Sequence, residues 1–112
     1  MSYLGANLSD GSHFIPISSS ATTSISGDAN GNVGTAEWGM GGVVSSGSGS
    51  MASGYENTSN NWTFVPNTTT TLASSSSATS DSIAMHYIAN ISSTTPAGSY
   101  STSVTFIATG NF

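Results

Sequence analysis

The chain has 112 residues with no lysine, no arginine and no cysteine, five acidic residues and two histidines, and a formal net charge of −5 at pH 7. Nucleic-acid binding draws its affinity from Lys and Arg neutralising phosphates, so that class of partner is excluded, and an anionic membrane would repel the chain. Phosphate-transferring enzymes normally bring Lys, Arg or a tightly held metal to the developing charge, and the sequence offers the first two nowhere, so kinase or nucleotidase chemistry is not expected.

The length suits one domain with a small core. Leu, Ile, Val and Phe together fall just below the roughly 20% that warns of disorder, but the net charge per residue is modest and the aromatics sit within ordered-looking segments. Ser and Thr make up about a third of the chain, and Gly, Ser, Thr and Asn interrupt every stretch in which a helix could nucleate. The expectation is therefore an all-β domain. In chain order, short strands are predicted over residues 13–17, 22–26, 36–40, 62–65 and 69–73, separated by turn signals at Asp10-Gly11, Gly27-Asp28, Asn30-Gly31 and Pro66-Asn67. Residues 41–54, rich in Gly and Ser, read as a flexible loop.

The clearest strands come last. Over residues 83–91, Ile83, Met85, Tyr87, Ala89 and Ile91 alternate with Ala84, His86, Ile88 and Asn90, which puts one apolar set on one face. Over residues 100–109, Tyr100, Thr102, Val104, Phe106 and Ala108 share a face in the same way. Pro96-Ala97-Gly98 between them predicts a hairpin or a sandwich corner. The whole chain, 1–112, reads as a single β-sandwich, Ig-like or jelly-roll, with short strands and Gly/Ser-rich loops. Residues 1–17 are read as an extended or exchanged N-terminal strand. The large aromatics Trp38, Trp62, Phe64, Tyr87, Tyr100 and Phe106 are the expected core anchors, with Met40, Met51 and Met85 filling gaps.

Catalysis has little to work with. His13 and His86 are the only histidines, and a Ser-His-Asp site would rest only on serine being everywhere. Residues 28–32 open like a calcium loop, but Val33 stands where the sharp-turn glycine belongs and Gly39 where the acid does, so a turn through Asn30-Gly31 is favoured. The expectation is a protein that is not an enzyme and has no catalytic residues, metal or cofactor. Five N-x-[S/T] sequons, at Asn7, Asn57, Asn61, Asn67 and Asn90, mark N-linked glycans as possible partners. No segment is apolar for long enough to span a bilayer as a helix, and the composition suits an extracellular or cell-surface location, with the precursor starting upstream of Met1.

Edge strands of soluble β-proteins are normally guarded by lysines, prolines or inward charges. A chain with no lysine and three prolines leaves its edges receptive to another strand, and its low charge weakens repulsion between copies. The ending Thr94-Thr95-Pro96-Ala97-Gly98-Ser99-Tyr100, followed by an alternating strand to Phe106, resembles the closing hairpin of prokaryotic secreted β-sandwich surface proteins. These include spore-coat-U-type and archaic chaperone–usher pilins and Ser/Thr-rich surface proteins of candidate-phylum bacteria. The resemblance covers about the last 30 residues. It implies a structural subunit of an extracellular filament or surface layer, a homopolymer assembling by donor-strand-like pairing, although the cysteines common in the pilins are missing here. The alternative expectation is an adhesin or carbohydrate-binding module with Trp38, Trp62, Tyr55 or Tyr87 facing sugar.

Overall fold

The computed structural model describes residues 1–16, 36–57, 61–77 and 80–110. They form an all-β structure of nine strands: β1 (Ser2–Gly5), β2 (Leu8–Ser9), β3 (Phe14–Ile15), β4 (Glu37–Ser46), β5 (Ser50–Met51), β6 (Thr70–Thr71), β7 (Ala73–Ser74), β8 (Ser82–Asn90) and β9 (Val104–Ile107). The strands pair into four small sheets, ordered β6-β1-β9, β2-β3, β4-β8 and β5-β7. No α-helix occurs among the described residues, as expected for a chain whose Ser, Thr, Asn and Gly compete with helix through local hydrogen bonds. The strand predicted over residues 22–26, the turns at Gly27-Asp28 and Asn30-Gly31, and the rejected calcium loop lie outside the described residues.

β4 is the longest strand and organises the molecule. It pairs antiparallel with β8 from Glu37↔Asn90 to Val44↔Ile83, with a register irregularity between Val44 and Ser46. Its other edge is covered in pieces. Trp38 N donates to Pro16 O at 3.0 Å, Met40 and Thr63 exchange both backbone bonds at 3.0 and 3.1 Å, and Gly42 N donates to Tyr55 O at 2.7 Å. The expected flexible loop over residues 41–54 is therefore corrected: residues 41–46 continue β4 and 50–51 form β5. Glycine in a strand normally weakens it, but here close packing requires it. A Cβ on Gly41 would come 2.7 Å from Asn61 O, and one on Gly42 would come 2.8 Å from Met51 Cε.

The three-stranded sheet sets the N-terminal strand between two others. β1 pairs with β9 from Ser2↔Ile107 to Gly5↔Val104, and with β6 through Ser2↔Thr71 and Tyr3↔Thr70. Residues 2–5, within the segment read as exchanged or extended, are thus a central strand paired within their own chain. The core gathers Tyr3, Ile15, Trp38, Met40, Tyr55, Phe64 and Leu72. Phe64 stacks at 4.2 Å from Trp38 and 5.1 Å from Tyr3, and Tyr55 meets Tyr3 edge-on at 5.8 Å. Burying side chains of this size stabilises by about 1.5–3 kcal/mol each.

Of the expected core aromatics, Trp38 and Phe64 are buried, Trp62 and Tyr100 are half-buried, and Tyr87 and Phe106 are exposed. Tyr3 and Tyr55 fill the places that sequence reasoning gave to those last two. The connection after β8 turns a corner between sheets and closes no hairpin, because β8 pairs with β4 and β9 with β1. Residues 62–65, predicted as a strand, form only the isolated bridge Met40↔Thr63.

Candidate interaction groove

The arrangement of β8 and β9 creates the main surface feature. Each stands at the end of its sheet: β8 pairs with β4 alone and β9 with β1 alone among the described strands. In an antiparallel pair about half of a strand's N–H and C=O groups point away from its partner, so both outer edges carry backbone groups with no strand partner among the described residues. Neither edge carries a lysine, a proline or an acid.

Between these edges lies an open, mainly apolar groove of about 530 Å³, lined on one side by Tyr87, Ile88 and Ala89 and on the other by Val104 and Phe106, with Leu8, Trp38 and Tyr100 to Thr102 between them. Directly opposed residues in a ladder share a face. Met40↔Tyr87 and Trp38↔Ala89 therefore place Tyr87 and Ala89 on the same face as buried Met40 and Trp38. Tyr3↔Phe106 likewise places Phe106 on the face of fully buried Tyr3. The period-2 reading assigned the inward side correctly, yet Tyr87 is 56% and Phe106 40% exposed. Both are inward-facing aromatics on strands that end their sheets among the described residues, and their rings are left partly uncovered. Trp38 adds a second unmet demand, because its indole N–H is buried and has no hydrogen-bond partner among the described residues.

The aromatics named for a sugar platform do not come together. Trp38 and Tyr55 are 3% and 4% exposed, which leaves no face for a pyranose to stack on. Trp62 lies edge-on to His86 at 6.4 Å, and His86 and Tyr87 are neighbours on β8, pointing to opposite faces. Trp62 and Tyr87 thus belong to opposite sides of the sheet.

The two histidines are also placed apart. His86 lies exposed on β8 opposite Gly41. His13 sits in the turn between β2 and β3, with Nδ1 3.0 Å from Asp10 Oδ2. Asp10 Oδ1 accepts from Ser12 N and His13 N at 2.9 and 2.7 Å. The His13 contact and these backbone N–H groups hold the Asp10 carboxyl down to about 2. Ser9 Oγ donates to His13 O and accepts from Gly11 N, so this serine is committed to the turn backbone. The Asp-His contact is a turn-closing device, and Gly11 at φ 96° supplies the left-handed residue that the turn requires.

A second, more polar cavity of about 760 Å³ lies farther along, lined by Met1, Ser2, Ser74, Ser75, Asp81, Ile83 and Ala108 to Gly110 among others. Ile83 precedes Tyr87 on β8, and Ala108 follows Phe106 after β9, so the two cavities succeed each other along the same pair of segments. Among the described residues no group of three or more His, Asp or Glu side chains is placed to hold a metal ion. No helix of the described residues is long and apolar enough to cross a membrane. No protein-family model, curated protein or solved structure matches the chain.

Proposed function

We propose that the protein is a structural subunit of an extracellular filament or surface layer, and that copies join when a strand of one enters the groove between β8 and β9 of the next. The observation that carries this reading is the pair of inward-facing, uncovered aromatics, Tyr87 and Phe106, on edge strands that flank one apolar groove. An added strand would pair with both open edges, cover both rings and complete a β-sandwich from sheets that are separate in the single chain. The head-to-tail contact is heterologous and builds open fibres when its rotation does not close. An unguarded nine-residue edge in a chain without lysine is a hazard to a monomer and an advantage to a polymer.

The test is sedimentation and negative-stain electron microscopy of the concentrated chain beside Phe106→Lys. The wild type is expected to pellet as particles with a regular repeat. The variant, with a charge on an already exposed edge position, is expected to keep its fold and remain in the supernatant. A wild-type chain that stays monodisperse at high concentration, or a Phe106→Lys chain that assembles as well as wild type, rejects the reading.

A further inference from the structure

The five sequons are equivalent as text and unequal in the fold. Transfer of an N-linked sugar needs the asparagine Nδ2 free to reach a donor and the hydroxyl two residues on free to be held by the transferase. Asn7 has its side-chain oxygen buried without a partner, and the Ser9 hydroxyl of its sequon is engaged on both sides in the β2–β3 turn. Asn57 also has a buried side-chain oxygen, and its Cβ packs against Gly41. Asn61 donates Nδ2 to Glu56 Oε2 at 3.1 Å, and Thr63 of its sequon is 4% exposed and locked into the bridge with Met40. Asn90 is half-buried at the end of β8 opposite buried Glu37, and the Ser92 hydroxyl lies 3.0 Å from both Thr94 Oγ1 and Thr95 Oγ1.

Asn67 differs on every count. It follows Pro66 at the head of a turn, with φ 57°, a left-handed value that asparagine tolerates better than most residues. Asn67, Thr68 and Thr69 are all exposed. The backbone N–H of Asn67 is fixed to Gly5 O at 2.7 Å, while its side chain has no hydrogen-bond partner among the described residues. The position is thus held by the main chain and presented by the side chain. It is also not among the residues lining the groove, so a sugar there leaves the groove free.

We infer that Asn67 is the sequon at which the folded chain accepts an N-linked glycan, and that the other four are closed by the fold. This goes beyond the assembly reading and does not depend on it. The donor class is a lipid-pyrophosphate-linked oligosaccharide. Asn67 Nδ2 forms the bond to the sugar's C1, the C1–O bond to phosphate breaks, the lipid pyrophosphate leaves, and one amide proton passes to a base of the transferase.

The experiment presents the purified, unglycosylated, folded chain to an oligosaccharyltransferase with that donor, using an enzyme already shown to modify synthetic peptides spanning each of the five sequons. Intact mass and peptide mapping are expected to find one glycan, at Asn67. Asn67→Gln and, as a variant that leaves the turn residue untouched, Thr69→Ala are each expected to lower incorporation at least tenfold. Modification of the folded chain chiefly at Asn7, Asn57, Asn61 or Asn90, or an Asn67 that is accepted in the peptide and refused in the folded chain, overturns the assignment.

Discussion

Tyr3→Phe is the substitution whose cost follows most directly from the geometry. The Tyr3 hydroxyl is fully buried, accepts from Val65 N at 2.7 Å and is hydrogen-bonded to the Tyr55 hydroxyl at 2.7 Å. Its removal leaves one partly buried backbone N–H and one buried phenol without partners. At about 1–3 kcal/mol for each stranded group, the expected loss is about 2–5 kcal/mol. Tyr55→Phe leaves Tyr3 still accepting from Val65, so its loss should be smaller, about 1–2 kcal/mol. In Tyr3→Phe/Tyr55→Phe the stranded phenol is itself gone, so the double variant should be no less stable than Tyr3→Phe alone. Urea unfolding followed by tryptophan fluorescence reads all three. For a domain of this size about 1 kcal/mol moves Tm by roughly 4–8 °C, so Tyr3→Phe should melt about 10 °C or more below wild type. A Tyr3→Phe variant that loses no more than Tyr55→Phe, or a double variant that loses the sum of the two, refutes the reasoning.

Burial, together with the hydrogen bond to Tyr3, pushes the Tyr55 phenol above its ordinary range. The unfolded chain therefore releases that proton first; wild-type stability should hold up to about pH 10 and fall above it, with a shallower fall in Tyr55→Phe, as read by urea midpoints across alkaline pH. Asp10 titrates in the folded turn at about 2, below its unfolded value, so its contribution is present above about pH 4 and lost as pH falls through about 2. Amide shifts of Gly11 and Ser12 should follow that window in wild type and be flat in Asp10→Asn. Gly41→Ala forces a Cβ to 2.7 Å from the Asn61 carbonyl oxygen and should cost about 1–3 kcal/mol in urea unfolding, whereas the Cβ of Gly11→Ala meets nothing and that change acts only through its positive φ.

Much of the strand content was legible because it rests on short-range chemistry. Period-2 alternation located β8 to within a residue of its ends and gave the inward face of both β8 and β9. The Asp10-Gly11 and Pro66-Asn67 turns were readable from residues that tolerate left-handed backbone. Three things were hidden because they depend on pairing over long separations. β1 has four residues and no alternation worth the name, and only its position between β6 and β9 makes it a central strand. Tyr3 and Tyr55 are 52 residues apart and become core only when the fold brings them together, ring against ring and hydroxyl to hydroxyl, beside Phe64. The glycines of β4 read as a loop because glycine disfavours strand locally, and their reason appears only when Asn61 and Met51 arrive against them. The missing lysines pointed only to unguarded strand edges; the groove itself could not be read, because it arises from β8 and β9 belonging to different sheets.

The energetics of the groove distinguish between two ways of covering it. Docking a flat apolar surface over Tyr87 and Phe106 would bury roughly the exposed half of each ring. At about 1.5–3 kcal/mol for complete burial of an aromatic, two half-burials return about 1.5–3 kcal/mol in all. Association alone costs about 4–15 kcal/mol in lost freedom, so a purely side-chain contact at this site cannot hold two copies together. Charge cannot supply the difference, because a chain without Lys or Arg presents no permanent cation to the acids of its neighbour. On the proposed reading the backbone supplies it: a strand laid in the groove would hydrogen-bond to the nine-residue edge of β8 and to the edge of β9, each bond adding about 0.5–1.5 kcal/mol. The occupant that the proposed assembly calls for is therefore extended and reaches both edges at once. Side chains on alternate positions of that occupant would meet Tyr87 and Phe106, while the intervening positions are free to be the Ser and Thr that make up about a third of this chain.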